Sequence, residues 1–550
     1  MSDLIQVLKE RDVNNMTIVR ILLAFLCIAF TVSCNRPAQT ANTLVYCSEG
    51  SPESLNPQQV LSGTGRNATA TTIYDRLVDF KPGTTSLVPA LAESWTVSDD
   101  RTTYDFTLRR GVKFHKTEFF EPQREFNADD VVFSIERQRD ENHPFHRVGG
   151  GSYQYFQGMG MDKLIVSVMR IDDHRVRIVL LRPDATFLAN MAMPFMSILS
   201  AEYGAKLLAA GTPEKIDTQP IGTGPYAFKS YLKDSTIRFV ANAAYWNGKP
   251  NIENLVFAIT PDASVRLQKL KKGECQIAVS PAPADLTAIR GDKQLVLDEE
   301  DGLNIGYVAM NVEKPPFDNV LVRRAVAHAL NKQAYIDAIY LGNARPAINP
   351  YPSTIWSYTD QVRVYQHDLE KARALLAEAG YAQGFTTTLW TLPVTRPYNP
   401  NGRKMGEMMQ ADLAKVGIKV ELVTYDWATY LAKVKLGEHQ MVQLGWSGDN
   451  GDPDNFLYTL LSCDSVTRGS NNSRYCNADF NRIISEARTA NDIEVRTRLY
   501  QQALVLLSED EPIIPIAHSK VFRALSNRVK GYTMNAFDLD YFASLTLESS

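Results

Sequence analysis

The stretch Gly445-Trp446-Ser447-Gly448-Asp449-Asn450-Gly451-Asp452-Pro453-Asp454 sets three carboxylates within six residues. Like charges at that spacing repel, so a loop that holds them needs cationic or hydrogen-bonding partners. Asp449 is read as the acid that receives a cation brought from outside, an ammonium group. Arg396 supplies the opposite charge upstream, and its planar fork can grip a carboxylate through paired hydrogen bonds. An anion and a cation at one rim suit a zwitterion. The plainer reading is that the two pair with each other or stay solvated, as surface charges do.

Other chemistries fit less well. His143 and His146 are separated by Pro144, so they make no helical zinc pair. The acid loop fails calcium-loop spacing, because Gly451 falls at the third position from Asp449 and no Glu closes it. Gly445-Trp446-Ser447-Gly448 lacks the glycine spacing of a nucleophile elbow. The pair Gly63 and Gly65 around Thr64 is a weak dinucleotide signal without a following acidic partner. No cofactor or metal is expected, and no catalytic residue.

The elements that must position these residues follow from periodicity. Phe385–Trp390 reads as a strand, Lys404–Val416 as a Met-rich helix closed by Gly417, and Ile418–Val423 as the next strand. That is a strand–helix–strand crossover, the unit of a parallel sheet. Gln440–Leu444 is apolar enough for a buried strand ending in the Gly-Trp-Ser and acid loop. Ligands of open α/β sheets lie beyond the carboxyl ends of strands, where Arg396 and Asp449 both fall. Trp390 is read as core. Upstream, Leu44–Cys47 and Tyr104–Arg109 read as strands, Ser62–Gly65 as a loop, and Asn127 as the cap of a helix presenting Val131, Val132 and Ile135 on one face. Val322, Ala325, Val326, Ala329 and Leu330 share a helical face, and Ala372–Ala379 forms a helix stopped by Gly380. The prolines of Pro220–Tyr226 stiffen a turn suited to a return crossing between domains.

The 550 residues, 44% hydrophobic with net charge −4, can bury a large core split into two or three domains. The balance argues against nucleic acid, which selects basic surfaces. The apolar run Ile21–Phe30 follows Arg11 and Arg20 and suits an export signal, with Met16 the better initiator than Met1. Thr31-Val32-Ser33-Cys34 resembles a lipobox, which would make Cys34 a lipidated mature N-terminus. Four cysteines remain in the exported part, Cys47, Cys275, Cys463 and Cys476, and allow three pairings. A Cys463–Cys476 bond would close a short loop.

Leu91-Ala92-Glu93-Ser94-Trp95, Leu108–His115, Asn127–Ser134 and Pro220–Tyr226 together resemble the bacterial extracellular solute-binding proteins for peptides (family 5), the binding components of ABC importers. The resemblance runs from about Thr43 to the C-terminus. Within the family, the four cysteines, Arg396-Pro397-Tyr398-Asn399-Pro400 and Gly445–Phe456 are most similar to the dipeptide-binding members. It implies an α/β, two-lobed periplasmic-binding-protein fold (type II, cluster C) with an extra third domain, in a protein that is not an enzyme. The domains would be a signal peptide over 1–34 and a tether over 35–42, then a discontinuous domain I from 43–73, 223–301 and 520–550. Domain II would span 74–222, and domain III, the second ligand-binding lobe, 302–519. The family's carboxylate-binding Arg falls on Arg396 and its amine-binding Asp on Asp449. Tyr398, Gly445, Trp446 and Ser447 would line one lobe's side and Gly63, Thr64 and Gly65 the other, gripping peptide backbone as a strand does. The implied disulfides are Cys47–Cys275 and Cys463–Cys476.

The expected partners are a di- or short peptide and an inner-membrane permease, and the protein is expected to be a periplasmic monomer anchored by lipid at Cys34. The sequence departs from the dipeptide-binding members at Gly65-Arg66-Asn67 and in its lipobox. Relatives on the same scaffold bind haem or glutathione, which stand as alternative ligands. A secreted hydrolase, the alternative from another class, would need a serine or metal constellation. Closure is expected about a hinge near Asp301–Gly306 and the C-terminal region.

Overall fold

The computed structural model describes residues 42–548. The export signal, the tether up to residue 41 and the lipidation site Cys34 lie outside the described residues. Among the described residues, the largest element is one mixed sheet of twelve strands. They are β1 (Thr43–Ser48), β2 (Tyr226–Leu232), β3 (Thr236–Ala241), β4 (Asn254–Ile259), β5 (Ile277–Val279) and β6 (Leu295–Asp301). The second half of the chain adds β7 (Asn304–Met310), β8 (Ala344–Pro346), β9 (Thr386–Trp390), β10 (Lys419–Val423), β11 (Met441–Ser447) and β12 (Ile513–Ser526). The order across the sheet is β10-β9-β11-β7-β12-β5-β1-β4-β3-β2, with β6 and β8 also on β12.

β12 explains how one sheet serves both halves of the chain. Its first residues pair with β7, as in Ala309↔Ile513 and Gly306↔Ala517. Its last residues pair with β5 and β6, as in Ile277↔Leu525 and Leu295↔Ser526. Between these stretches the Asn304 side chain clamps the strand. Its Nδ2 donates to the Ser519 carbonyl at 2.9 Å, and its Oδ1 accepts from the Ser519 backbone N–H at 3.0 Å.

A separate four-stranded antiparallel sheet (Ala92–Val97, Thr103–Leu108, Ile165–Asp172, Arg175–Leu180) lies in the long insertion between β1 and β2. The chain enters and leaves that insertion side by side: the Gly224 and Tyr226 N–H groups donate to the Ile73 and Thr72 carbonyls, each at 2.9 Å. A Cβ on Gly222 would lie 2.0 Å from the Ile73 carbonyl oxygen, so only glycine allows the approach. Asn127 caps its helix with the expected side-chain bond and a reciprocal one from Asp130.

The crossover β9–helix–β10 is present, and both β10 and β11 run parallel to β9. Its helix spans Gly402–Ala414, with Asn401 as cap. Met405, Met409 and Leu413 recur every four residues and are buried against Leu389 and Val420, each such side chain contributing about 1.5–3 kcal/mol. Gly417 ends the helix at φ +85°, the left-handed region that favours glycine. Trp390 is core. The disulfides are Cys47–Cys275, joining β1 to the approach to β5, and Cys463–Cys476.

Two local expectations are corrected. Ser62–Gly65 is not an open loop. Ser62 caps a helix, α1 (Gly63–Thr69), and accepts from the Gly65 N–H; a Ser cap satisfies one of the free N–H groups of the first turn, which offsets the two glycines. Gly445-Trp446-Ser447 does not leave the sheet, because β11 continues through all three, paired residue for residue with Gly306, Ile305 and Asn304 of β7.

Candidate functional site

Since β9 and β11 are parallel neighbours, the loops after both leave the same edge of the sheet. The loop after β9 carries Arg396 and is pinned at several points. Arg396 and Asn399 exchange backbone bonds at 3.2 and 3.0 Å, the Ser519 hydroxyl donates to the Pro397 carbonyl at 2.8 Å, and the Tyr340 hydroxyl donates to the Tyr398 carbonyl at 2.6 Å. Tyr398 is seated by two glycines that face each other across β7 and β11. A Cβ on Gly306 would lie 2.2 Å from the Tyr398 carbonyl oxygen, and one on Gly445 2.1 Å from its ring. The glycines thus make the trough that fixes the loop, a backbone-approach role.

Arg396 itself is half-buried. Its guanidinium donates to the Thr395 carbonyl at 3.2 Å and stands 5.5 Å over the Trp427 ring. Among the described residues no carboxylate pairs with it.

The acid loop is different. Each of its three acids faces a cation of the protein's own: Asp449 pairs with Arg66, Asp452 with Arg496 at 2.8 Å, and Asp454 with Arg488 at 3.5 Å. The need for partners follows from the sequence; that Asp449 has an internal one does not. Asp449 is 1% exposed and Arg66 5%. Asp449 Oδ1 takes Arg66 and, at 3.4 Å, the Tyr155 hydroxyl, while Asp449 Oδ2 has no hydrogen-bond partner among the described residues. Burial pushes the Asp449 carboxyl above its ordinary range against the pull of Arg66. Burial works against the Arg66 charge too, but Asp449, with Tyr155 and Asp538, holds it above its ordinary value.

Between these loops and α1 lies a cavity of about 610 Å³. Arg396, Tyr398, Gly445, Trp446 and Ser447 line it on the side of β11, and Gly63 and Thr64 line it on the side of α1. Gly65 and Asp449 are not on its wall. Gly65 is packed under Glu53 and Val60, where a Cβ would lie within 2.9 Å of both. Asp449 is covered by Arg66, which does line the cavity. Glu49, Glu53, Asp538 and Arg266 are further charged residues on the wall. Arg266 spends its donors on four backbone carbonyls, from Thr260, Pro261, Val279 and Ser280. Aromatic rings of Tyr155, Tyr307, Trp427 and Trp446 complete the lining, so the space is an apolar slot with a few placed polar groups, as ligand sites are.

Sequence reasoning missed Arg66, which sits 383 residues from Asp449 along the chain. The signal that could have found it was the acid loop's own need for buried cations.

The model for bacterial extracellular solute-binding proteins, family 5 Middle, matches residues 86–468. A dipeptide-binding protein of Escherichia coli is 51% identical over 521 residues, covering 95% of this chain and 97% of that protein. Heme-binding protein A of Haemophilus influenzae is 47% identical, covering 94% of each. Among solved structures, a dipeptide-binding protein from Pseudoalteromonas in complex with Met-Leu matches with TM-score 0.88 and 40% identity, over 92% of this chain and 100% of that one. An ABC transporter-associated periplasmic binding protein of Helicobacter pylori, in complex with the peptide STSA, matches with TM-score 0.87 and 38% identity, over 92% and 98%.

Proposed function

This chain belongs to family 5 of the bacterial extracellular solute-binding proteins, and we propose that it captures di- or short peptides outside the inner membrane and hands them to an ABC importer's permease. The observation that carries the reading is Arg396. It is a guanidinium held at the wall of a ligand-sized cavity by a braced loop, and among the described residues no acid pairs with it. In this reading Arg396 takes the ligand's terminal carboxylate as a forked pair. The backbone groups of Gly445–Ser447 and the first turn of α1 grip the peptide as a neighbouring strand would. The end of the cavity at Arg66 and Asp449 faces the amino terminus. Peptide-bound relatives on the same scaffold support the assignment.

Mass spectrometry of ligand released from the denatured protein, followed by calorimetry with that ligand, tests it. Short peptides with micromolar or tighter binding are expected. A released haem, visible by its absorption, or no peptide binding at all, overturns it.

The same reading divides the chain into domain I (43–73, 223–301, 520–550), domain II (74–222) and domain III (302–519). The lobes would close about Asp301–Gly306 and the adjoining part of β12 towards the C-terminus, where Asn304 bonds Ser519. Solution scattering with and without peptide should give different radii, and equal radii would count against closure. Anchorage by lipid at Cys34 rests on the lipobox-like run, and Cys34→Ser should release the protein to the soluble fraction; a parent already soluble after osmotic shock removes the idea.

A further inference from the structure

We propose that Arg66 is a specificity-determining residue that frees this site from requiring an ammonium, so that it takes peptides whose amino end is blocked by an acyl group as readily as free ones. The inference rests on the peptide-binding reading above and adds the class of ligand.

Asp449 is the acid that the site would otherwise offer to an ammonium, yet it is not on the cavity wall; Arg66 is. A ligand that reaches this end meets a guanidinium first. The carboxylate behind it is already neutralised, so a ligand without a positive charge leaves no bare buried anion, the usual reason such sites reject blocked peptides.

The pair also has unspent hydrogen-bonding capacity of both kinds. Among the described residues, Arg66 Nε is a buried donor with no partner and Asp449 Oδ2 a buried acceptor with none. Arg66 is the member of the pair on the cavity wall, so the group it can take there is an acceptor, such as the carbonyl that an acylated amino end brings. A free ammonium would instead meet Arg66 as a like charge. To reach Asp449 it must turn Arg66 aside, toward Asp538, which already helps to hold the Arg66 charge.

The test is calorimetry of the full-length protein, freed of bound ligand, with Ala-Ala and N-acetyl-Ala-Ala. The wild type is expected to bind the two within about tenfold of each other. Arg66→Met uncovers Asp449 and should make the free amine preferred by about a hundredfold or more. Arg66→Lys keeps a cation on Asp449 and should stay within the wild-type ratio. The double variant Arg66→Met with Asp449→Asn removes both charges of the pair, leaves Glu49, Glu53 and Asp538 on the wall as in the wild type, and should again bind both peptides alike. That variant and the lysine variant decide the matter should Arg66→Met fail to fold. A wild-type preference above tenfold for Ala-Ala, or a ratio that Arg66→Met does not change, overturns the proposal while leaving peptide binding intact. Failure of wild type to bind either peptide overturns both.

Discussion

Replacing Arg396 by Met probes the carboxylate anchor with little risk to the fold. The guanidinium is half-buried, donates to the adjacent Thr395 carbonyl, bonds the Tyr398 side chain and rests on Trp427. The apolar Met chain can cover the same ring. The loop's shape depends on backbone bonds and on the seating of Tyr398 in its glycine trough, which the two glycines fix without the guanidinium's one bond to that side chain. Stability should therefore fall by no more than about 1.5 kcal/mol, the worth of one hydrogen bond. Binding is another matter. A hydrogen bond to a charged group is worth about 1.5–3 kcal/mol, so loss of the forked pair should weaken Ala-Ala by about 10- to 150-fold. Arg396→Lys keeps the charge and loses the fork, and should fall between parent and Met variant. Calorimetry with Ala-Ala and its carboxamide separates this from a general disturbance: the parent should prefer the acid, and the Met variant should treat the two alike. A Met variant as tight as the parent, or a parent indifferent to the carboxamide, would refute the assignment.

Gly445→Ala should cost about 1–3 kcal/mol by overpacking, because its Cβ would lie 2.1 Å from the Tyr398 ring. Dipeptide affinity should fall with it, since the displaced ring carries the Arg396 loop; thermal melts and calorimetry check both, and an unchanged affinity would detach Tyr398 from the site. Asp454 gives a pH test. Burial, helped by the nearby Asp452 and Asp184, pushes it up to about 7 in the folded protein against the pull of Arg488 and Arg496, above the unfolded value. Its protonated form is then favoured by folding, and that stability is lost as pH rises from about 4 through 7. Asp454→Asn, fixed in the neutral state, should gain on the parent between pH 5 and 8, by on the order of 2–4 kcal/mol. A difference in melting temperature that stays constant over that range would contradict the shift.

What could be read from the residues was local. The crossover around Met405 and Met409 announces itself through four-residue spacing and a closing glycine, and Asn127 through its cap chemistry. The Gly-Trp-Ser run was misread as leaving the sheet because glycine before a cluster of acids looks like a turn. Nothing near Gly445 in the chain tells that Gly306 faces it, or that Tyr398 sets its ring against the one and its carbonyl against the other. Arg66 was hidden for the same reason. Its partner lies 383 residues away, and two glycines around Thr64 suggest an open loop, while the Ser62 cap that makes a helix of them is the weaker local signal. Repulsion among Asp449, Asp452 and Asp454 states that cations must be near, but only the fold says which. The site was legible as a rim of charges, and its depth order, Arg66 in front of Asp449, was not.

A crystal structure of the protein with a bound dipeptide bears most directly on the account. The terminal carboxylate should lie about 2.7–2.9 Å from the Arg396 guanidinium, with the peptide backbone alongside Gly445–Ser447 in the cavity. A dipeptide bound elsewhere, or one in the cavity with its carboxylate turned away from Arg396, would contradict it.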